Sequence, residues 1–151
     1  MNPLTIYQDA LNAVSEAILA GDFDTYAAMI DLPYLIHTAT ADLLVSTVAD
    51  LRPTFEALSQ GLKARGVTHY ERVSRAADYV ARDRIEGWHH THMLAGGAPL
   101  ACAHVSRHTL VRRDGHWLFS EAHYTLTAKR WPLTEEQLFA QIDAATHAGA
   151  S

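Results

Sequence analysis

The sequence predicts an α+β domain in which helices come first and a sheet of long strands follows. Over residues 2–66 the apolar residues recur mainly at helical spacing, and strand-like alternation takes over from residue 67. Two glycine-containing turns, Gly96-Gly97 and Asp114-Gly115, separate the last three strands. Helices followed by a run of hairpin-connected strands are typical of the α+β class.

Three helices and two short strands are predicted in the first half of the chain. The helices are expected at 2–21, 22–32 and 50–66, because a capping residue begins each pattern and a glycine or proline ends it. Weaker strand patterns occupy 34–38 and 43–47.

Four longer strands and a last helix are predicted in the second half. The strands lie at 67–77, 82–94, 100–113 and 116–127. The helix begins at Thr134, where Gln137 completes a capping box. We therefore expect one domain spanning 1–151, with a core at 4–127 and a C-terminal helical extension at 134–147.

Composition excludes several functional classes. The 151 residues are 48% hydrophobic and 19% charged, with a net charge of -5, which is typical of a globular protein and unlike a nucleic-acid-binding surface. The chain lacks a signal-peptide pattern at its start and a segment long enough to span a membrane. A single cysteine, Cys102, excludes an internal disulfide. We expect a cytoplasmic protein with no nucleic-acid or membrane partner.

The two turns predict which residues of the last strands pair. A two-residue turn at Asp114-Gly115 places His108 opposite Glu121. A register that pairs Leu94 with Leu100 across the Gly96-Gly97 turn places Glu86 beside His108. One extra residue in either hairpin would change these pairs, because side chains alternate between the faces of a strand.

If both registers hold, a row of titratable side chains crosses three strands. Such a row predicts general acid–base chemistry. A carboxylate beside an imidazole fixes its tautomer and raises its basicity, so His108 and Glu121 are the expected proton-transfer pair, with Glu86 in line. Alternatively, the pair only stabilises the sheet surface. The candidate substrate-binding residues around this row are Trp88, His90, His104, His123, Tyr124 and Phe119.

Two other sites are open alternatives on the same strands. Zinc accepts the ligand set of two imidazoles from one strand and a thiol and imidazole from the next, here His90, His92, Cys102 and His104. Cys102 could instead be a nucleophile activated by a neighbouring histidine, although a buried, inert thiol is the simpler interpretation. His89 is expected to face the opposite side of the sheet.

The last hairpins resemble a known family. The predicted order is helix, short helix, helix and then long antiparallel strands. The strands end in Arg112-Arg113-Asp114-Gly115-His116-Trp117, with the apolar Phe119 two residues further on. This pattern resembles the nuclear transport factor 2-like superfamily in its SnoaL-like branch. With Ala95-Gly96-Gly97, the same segment also resembles the association domain of calcium/calmodulin-dependent kinase II. The architecture of residues 4–127 takes part in this resemblance.

The resemblance implies a cone-shaped fold, in which a strongly bent antiparallel sheet wraps around the long first helix and leaves a pocket at its open end. The C-terminal helix would cover the mouth of the cone or extend a dimer contact. In the association domain the position that matches Tyr124 faces the pocket, which here would require a bulge in the hairpin.

The functional implication is a homodimer that binds a small hydrophobic or polyketide-like organic molecule without a cofactor. The family includes isomerases, dehydratases and cyclases whose pocket carboxylates and histidines carry the chemistry. It also includes binding and association modules without catalysis, so the fold does not decide between the two.

Overall fold

The computed structural model describes residues 1–100 and 104–149. These residues form four helices and seven strands. In chain order the elements are α1 (Pro3–Ala20), α2 (Phe23–Ala28), β1 (Ile30–His37), β2 (Asp42–Val45), α3 (Val48–Ala64), β3 (His69–Ala81), β4 (Arg84–Ala95), β5 (Ala98–Pro99), β6 (His104–Arg113), β7 (His116–His123) and α4 (Glu135–Gly149).

The helix ends confirm the capping signals of the sequence. The Asn2 side chain accepts a hydrogen bond from the Leu4 amide at 2.9 Å, and Gly21 ends α1 in the left-handed conformation. At α4, the Thr134 amide donates to Gln137 Oε1 while the Gln137 amide donates to Thr134 Oγ1, as a capping box requires.

Two element boundaries differ from the predictions. The N-cap of α3 is Thr47 rather than Asp50, because the Thr47 hydroxyl accepts from the Asp50 amide at 3.2 Å. Strand β1 begins at Ile30 and continues through Pro33. The β1–β7 pairing is interrupted between Ile30 and Leu35, so the missing amide of Pro33 costs no ladder hydrogen bond.

The bent sheet has the strand order β2-β1-β7-β6-β4-β3, and β5 pairs with β4. It is mixed rather than wholly antiparallel, because β1 runs parallel to β7. Helix α1 packs across β3, and its Tyr7, Leu11 and Ile18 are buried against the sheet. None of the helices in the described part of the chain is long and apolar enough to cross a bilayer.

The register of the last hairpin corrects the predicted His108–Glu121 pair. Leu110 lies opposite Phe119 as expected, but Ser120 is an extra residue, and beyond it His108 lies opposite Ala122. This one-residue bulge shifts every later residue of β7 to the other face. Glu121 therefore lies opposite Thr109 and points away from His108.

The pairing of β4 with β6 is also one residue away from the prediction. Leu94 pairs with Pro99 in the short strand β5, and Gly87, not Glu86, lies opposite His108. Cys102, which the predicted register places beside His92, lies outside the described residues. As a result, β4 directs His89 to the concave inner face of the sheet and Trp88 to the outer face, the reverse of the prediction.

Candidate functional site

The concave face of the sheet and the helices enclose a pocket that opens at one end. Its empty volume is about 1120 Å³, which includes solvent at the mouth. One wall is apolar, with Val14 and Ile18 from α1 and Phe55 from α3. Leu138 of α4 also lines the pocket, so the C-terminal helix covers part of it.

His89 and His108 form the polar end of the pocket together with Arg72, and the buried Tyr7 lies against His89. Tyr7 and His89 are joined by a hydrogen bond of 2.7 Å between the Tyr7 hydroxyl and His89 Nδ1. Burial raises the pKa of Tyr7, so its hydroxyl keeps the proton and donates it to Nδ1. The rings of His89 and His108 stack with their centroids 5.1 Å apart.

Gly87 makes the approach of Tyr7 possible. A Cβ at this position would lie 2.9 Å from the Tyr7 ring and 2.9 Å from the carbonyl oxygen of Ala76. The tyrosine ring therefore occupies the space that any other residue at 87 would need. Gly87 is not among the glycines with a positive φ, so close packing and not backbone conformation explains the glycine at this position.

Both inner histidines are neutral near pH 7. Burial, reinforced by the positive charge of Arg72, lowers the pKa of His89 to about 3. Burial, His89 and Arg72 together hold the pKa of His108 well below its ordinary value. No described residue gives either ring nitrogen of His108 a well-formed hydrogen bond, although the backbone of Glu121 is close enough to oppose the fall in pKa.

Arg72 of β3 places a permanent positive charge inside the pocket. Only 7% of the residue is exposed, and its guanidinium lies over the Tyr70 ring and donates to the Tyr70 hydroxyl at 2.5 Å. Its Nε has no hydrogen-bond partner among the described residues. The described residues that line the pocket include no aspartate or glutamate. The cation therefore lacks a carboxylate counter-ion in this part of the molecule.

Tyrosine hydroxyls complete the polar end beside the arginine. Tyr34 and Tyr124 both line the pocket, and burial raises the pKa of each, so both hydroxyls stay protonated. The two hydroxyls hydrogen-bond each other, so one of their two protons remains for a ligand. The inward position of Tyr124 agrees with the family resemblance and depends on the Ser120 bulge.

The predicted site residues divide between the two faces of the sheet. His108, Phe119 and Tyr124 line the pocket. The strand registers place the others with described side chains on the outer face, which holds Glu86, Glu121, Trp88, His90 and His123. The His104 side chain and Cys102 lie outside the described part, so the alternative sites that use them are not tested.

Sequence reasoning missed Arg72, His89 and Tyr7. Arg72 and Tyr70 are two residues apart on a strand and hence share a face. The aromatic Tyr70 is the sequence signal that this face points inward, and the structure shows both residues buried. Tyr7 lies on the apolar stripe of the first helix, a position that by itself indicates only packing. His89 was placed on the wrong face because the register was one residue off.

The outer face carries a second titratable group of residues, centred on His37. Its Nδ1 lies 2.5 Å from Asp42 Oδ1, and its Nε2 lies 2.5 Å from Glu121 Oε1. Partial burial opposes the charged ring, but the hydrogen bonds with the two carboxylates prevail and raise the pKa of His37. His123 stacks on this ring at 4.2 Å, and burial together with His37 and Arg107 lowers its pKa.

Comparison with known proteins identifies the fold. No protein-family model and no curated protein matches the chain. Among solved structures it resembles a nuclear transport factor 2-like protein with a cystatin-like fold from Novosphingobium aromaticivorans, at 15% identity over 80% of this chain and 79% of that one, with a TM-score of 0.58.

Two further solved structures are similar. One is a candidate calcium/calmodulin-dependent kinase II association domain from Thiobacillus denitrificans, with 18% identity over 78% of this chain and 93% of that one, and a TM-score of 0.57. The other is a candidate scytalone dehydratase from Novosphingobium aromaticivorans, with 11% identity over 83% and 90%, and a TM-score of 0.57. The chain therefore has the cystatin-like, nuclear transport factor 2-like fold.

Proposed function

We propose that this protein binds a small, partly apolar organic anion in the interior of the cone. The observation that carries the proposal is the Arg72 guanidinium, which is buried in the pocket with no carboxylate partner among the described residues. An uncompensated buried charge destabilises a folded protein by several kcal/mol. A carboxylate, enolate or phenolate bound at Arg72 would offset that cost through charge-assisted hydrogen bonds.

The rest of the pocket fits such a ligand. The Nε of Arg72, which has no partner among the described residues, and the remaining proton of the Tyr34–Tyr124 hydroxyl pair are donors that suit an anionic oxygen. The apolar wall, which includes Phe55 and Leu138, suits a hydrocarbon or aromatic body. A polyketide-like or other aromatic acid combines both parts.

A second candidate function is cofactor-free acid–base catalysis on the bound molecule, with His108 as the proton acceptor. Its ring lines the pocket, is neutral and has nitrogens without well-formed hydrogen bonds. The positive charge of Arg72 is one reason for its low pKa, so an anion bound there would return the ring towards ordinary basicity. Isomerisation or dehydration is the matching chemistry, and one similar structure is a candidate scytalone dehydratase. Glu121 and Glu86 have no part in this proposal.

We also propose that two copies associate through the outer face of the sheet. Val73 and Val105 flank His90 in one row across three strands, are 39% and 44% exposed, and adjoin the partly exposed Trp88. A second copy of the chain would cover this apolar patch, and light scattering should then give twice the chain mass. A similar structure is a candidate association domain. A cytoplasmic location stays a prediction.

The binding proposal is tested with a matched acid and amide, 2-naphthoate and 2-naphthamide, titrated into the protein by calorimetry. The acid should bind at least tenfold more tightly than the amide, because only the acid pairs with Arg72. Arg72→Met keeps the aliphatic stem and removes the charge, so the preference should disappear while the variant remains folded. Equal affinities for acid and amide in the natural protein would refute the anion site.

A second variant separates the charge from general damage to the pocket. Phe55→Leu trims the apolar wall without touching the guanidinium. It should weaken the binding of the acid and of the amide by similar factors and leave the ratio of their affinities unchanged. If Phe55→Leu abolished the preference for the acid while Arg72→Met retained it, the apolar wall and not the guanidinium would select the acid.

A further inference from the structure

The outer face holds three potential metal ligands on two neighbouring strands. Glu121 and His123 are two residues apart on β7 and share a face, and His37 of the parallel strand β1 lies opposite His123. One ligand atom from each of the three residues lies within 4.8 Å of the other two. This arrangement exists only because the Ser120 bulge turns Glu121 and His123 outward.

We infer that His37, Glu121 and His123 form a binding site for one zinc ion. Two imidazoles and one carboxylate are a ligand set that zinc accepts in three-ligand sites with an open fourth position. This site is separate from the interior pocket and does not depend on the function proposed for it.

The distances are close to those that tetrahedral coordination needs. Zinc bonds of about 2.1 Å hold neighbouring ligand atoms about 3.4 Å apart in a tetrahedron. His123 Nε2 lies 3.6 Å from Glu121 Oε1, whereas His37 Nε2 lies 2.5 Å from the same oxygen. Insertion of the ion therefore requires the second contact to open by about 1 Å, which a rotation of the Glu121 side chain can supply.

Neighbouring residues orient two of the three ligands. Asp42 holds Nδ1 of His37, which leaves Nε2 as the nitrogen that faces the ion. Arg84 Nη2 donates to Glu121 Oε2 at 3.2 Å and leaves Oε1 turned towards the two histidines. Histidine ligands of zinc characteristically donate their other nitrogen to a carboxylate in this way.

The site is open to solvent and has a suitable charge. The side chains of His37, Glu121 and His123 are 23%, 20% and 36% exposed, so an ion can enter and a water molecule can fill the fourth position. With the neutral histidines that zinc requires, the carboxylates of Asp42, Glu86 and Glu121 outweigh the charges of Arg84 and Arg107 by one negative unit. A divalent cation is attracted to such a surface.

The experiment is a calorimetric titration of ZnCl₂ into the full-length, tag-free protein after dialysis against a chelator. We expect one zinc per chain in the natural protein. His123→Asn and Glu121→Gln, which remove one ligand each with little change in volume, should each weaken zinc binding at least tenfold. Asp42→Asn removes only the group that orients His37 and should weaken binding by a smaller factor.

His116→Asn is the matched control, because His116 is an exposed histidine at the start of β7 outside the three-residue site. Its zinc affinity should equal that of the natural protein. Circular dichroism checks that each variant is folded. If a ligand variant unfolds, Co²⁺ bound to the natural protein should show the intense visible bands of tetrahedral nitrogen and oxygen coordination. Absence of zinc binding, unchanged binding in His123→Asn, or loss of binding in His116→Asn would overturn the site.

Discussion

The inner and outer faces of one sheet place the same side-chain chemistry in opposite environments. Inside, His89 stacks on His108 near an arginine that has no carboxylate partner in the described part of the chain, and the pKa of His89 falls to about 3. Outside, His37 lies between two carboxylates and its pKa rises. Burial beside a cation favours the neutral ring, and paired carboxylates favour the charged one. The role of each histidine is therefore decided by its face and not by its residue type.

The largest expected difference between the faces concerns proton transfer. If His108 acts as a base, the protein should accelerate deuterium exchange at the carbon next to the carbonyl of 1-tetralone, because Arg72 can stabilise the enolate. His108→Gln should then lower the exchange rate by about a hundredfold, within the usual contribution of a general base. Nuclear magnetic resonance in D₂O measures the rate.

Glu86→Gln supplies the outer-face control for this exchange, because Glu86 lies on the same strand as His89 but points outward. Its rate should match that of the natural protein. Exchange no faster than in buffer, or equally fast in His108→Gln, would leave the pocket as a binding site without catalysis.

A smaller effect is expected on stability from packing at the inner face. Gly87→Ala should lower the free energy of unfolding by about 2 kcal/mol, because the new methyl group meets the Tyr7 ring and a backbone carbonyl. Urea unfolding measures the loss. The neighbouring change Glu86→Gln faces solvent and should alter stability by less than about 0.5 kcal/mol. Equal effects of the two changes would contradict the close contact at Gly87.

The smallest effect is a pH dependence that originates inside the cone. Because the pKa of His108 is lower in the folded state than in the unfolded chain, the unfolded state takes up the proton first as the pH falls below about 6.5. Stability is therefore lost on acidification, by at most about 1.4 kcal/mol per pH unit for this one group. His108→Gln should make the decline below about pH 6.5 shallower.

Phe119→Leu is the control for this slope, because Phe119 touches the His108 ring and does not titrate. It should lower stability by the same amount at every pH. Urea unfolding at three pH values distinguishes the two variants. An unchanged slope in His108→Gln would mean that the ring is protonated in the folded protein at the same pH as in the unfolded one.

Local features of the fold were predictable from the sequence, and long-range features were not. The caps at Asn2 and Thr134 and the turn at Asp114-Gly115 depend on residues a few positions apart, and the structure confirms them. The parallel pairing of β1 with β7 joins segments more than eighty residues apart in the sequence, and no local pattern indicates it. The family resemblance predicted the cone correctly.

The candidate site shows the same division. His108, Phe119 and Tyr124 were predicted near a pocket and do line it. The expected partner Glu121 lies on the other face, because the register depended on a bulge that an ordinary serine occupies without a glycine signal. Arg72 lies on β3, outside the three strands in which the sequence predicts acid–base pairs.

Ser120 is an extra residue in β7, and it reverses the inward and outward alternation of the side chains that follow it. Each side chain after Ser120 in β7 faces the side of the sheet opposite to the one that regular alternation would give. Without it, Glu121 and His123 would face the inside of the cone, and a carboxylate would share the interior with Arg72. The selectivity that we propose for an anionic ligand thus depends on the position of a single unpaired residue, and moving that residue along the strand would be a direct route to redesigning the pocket.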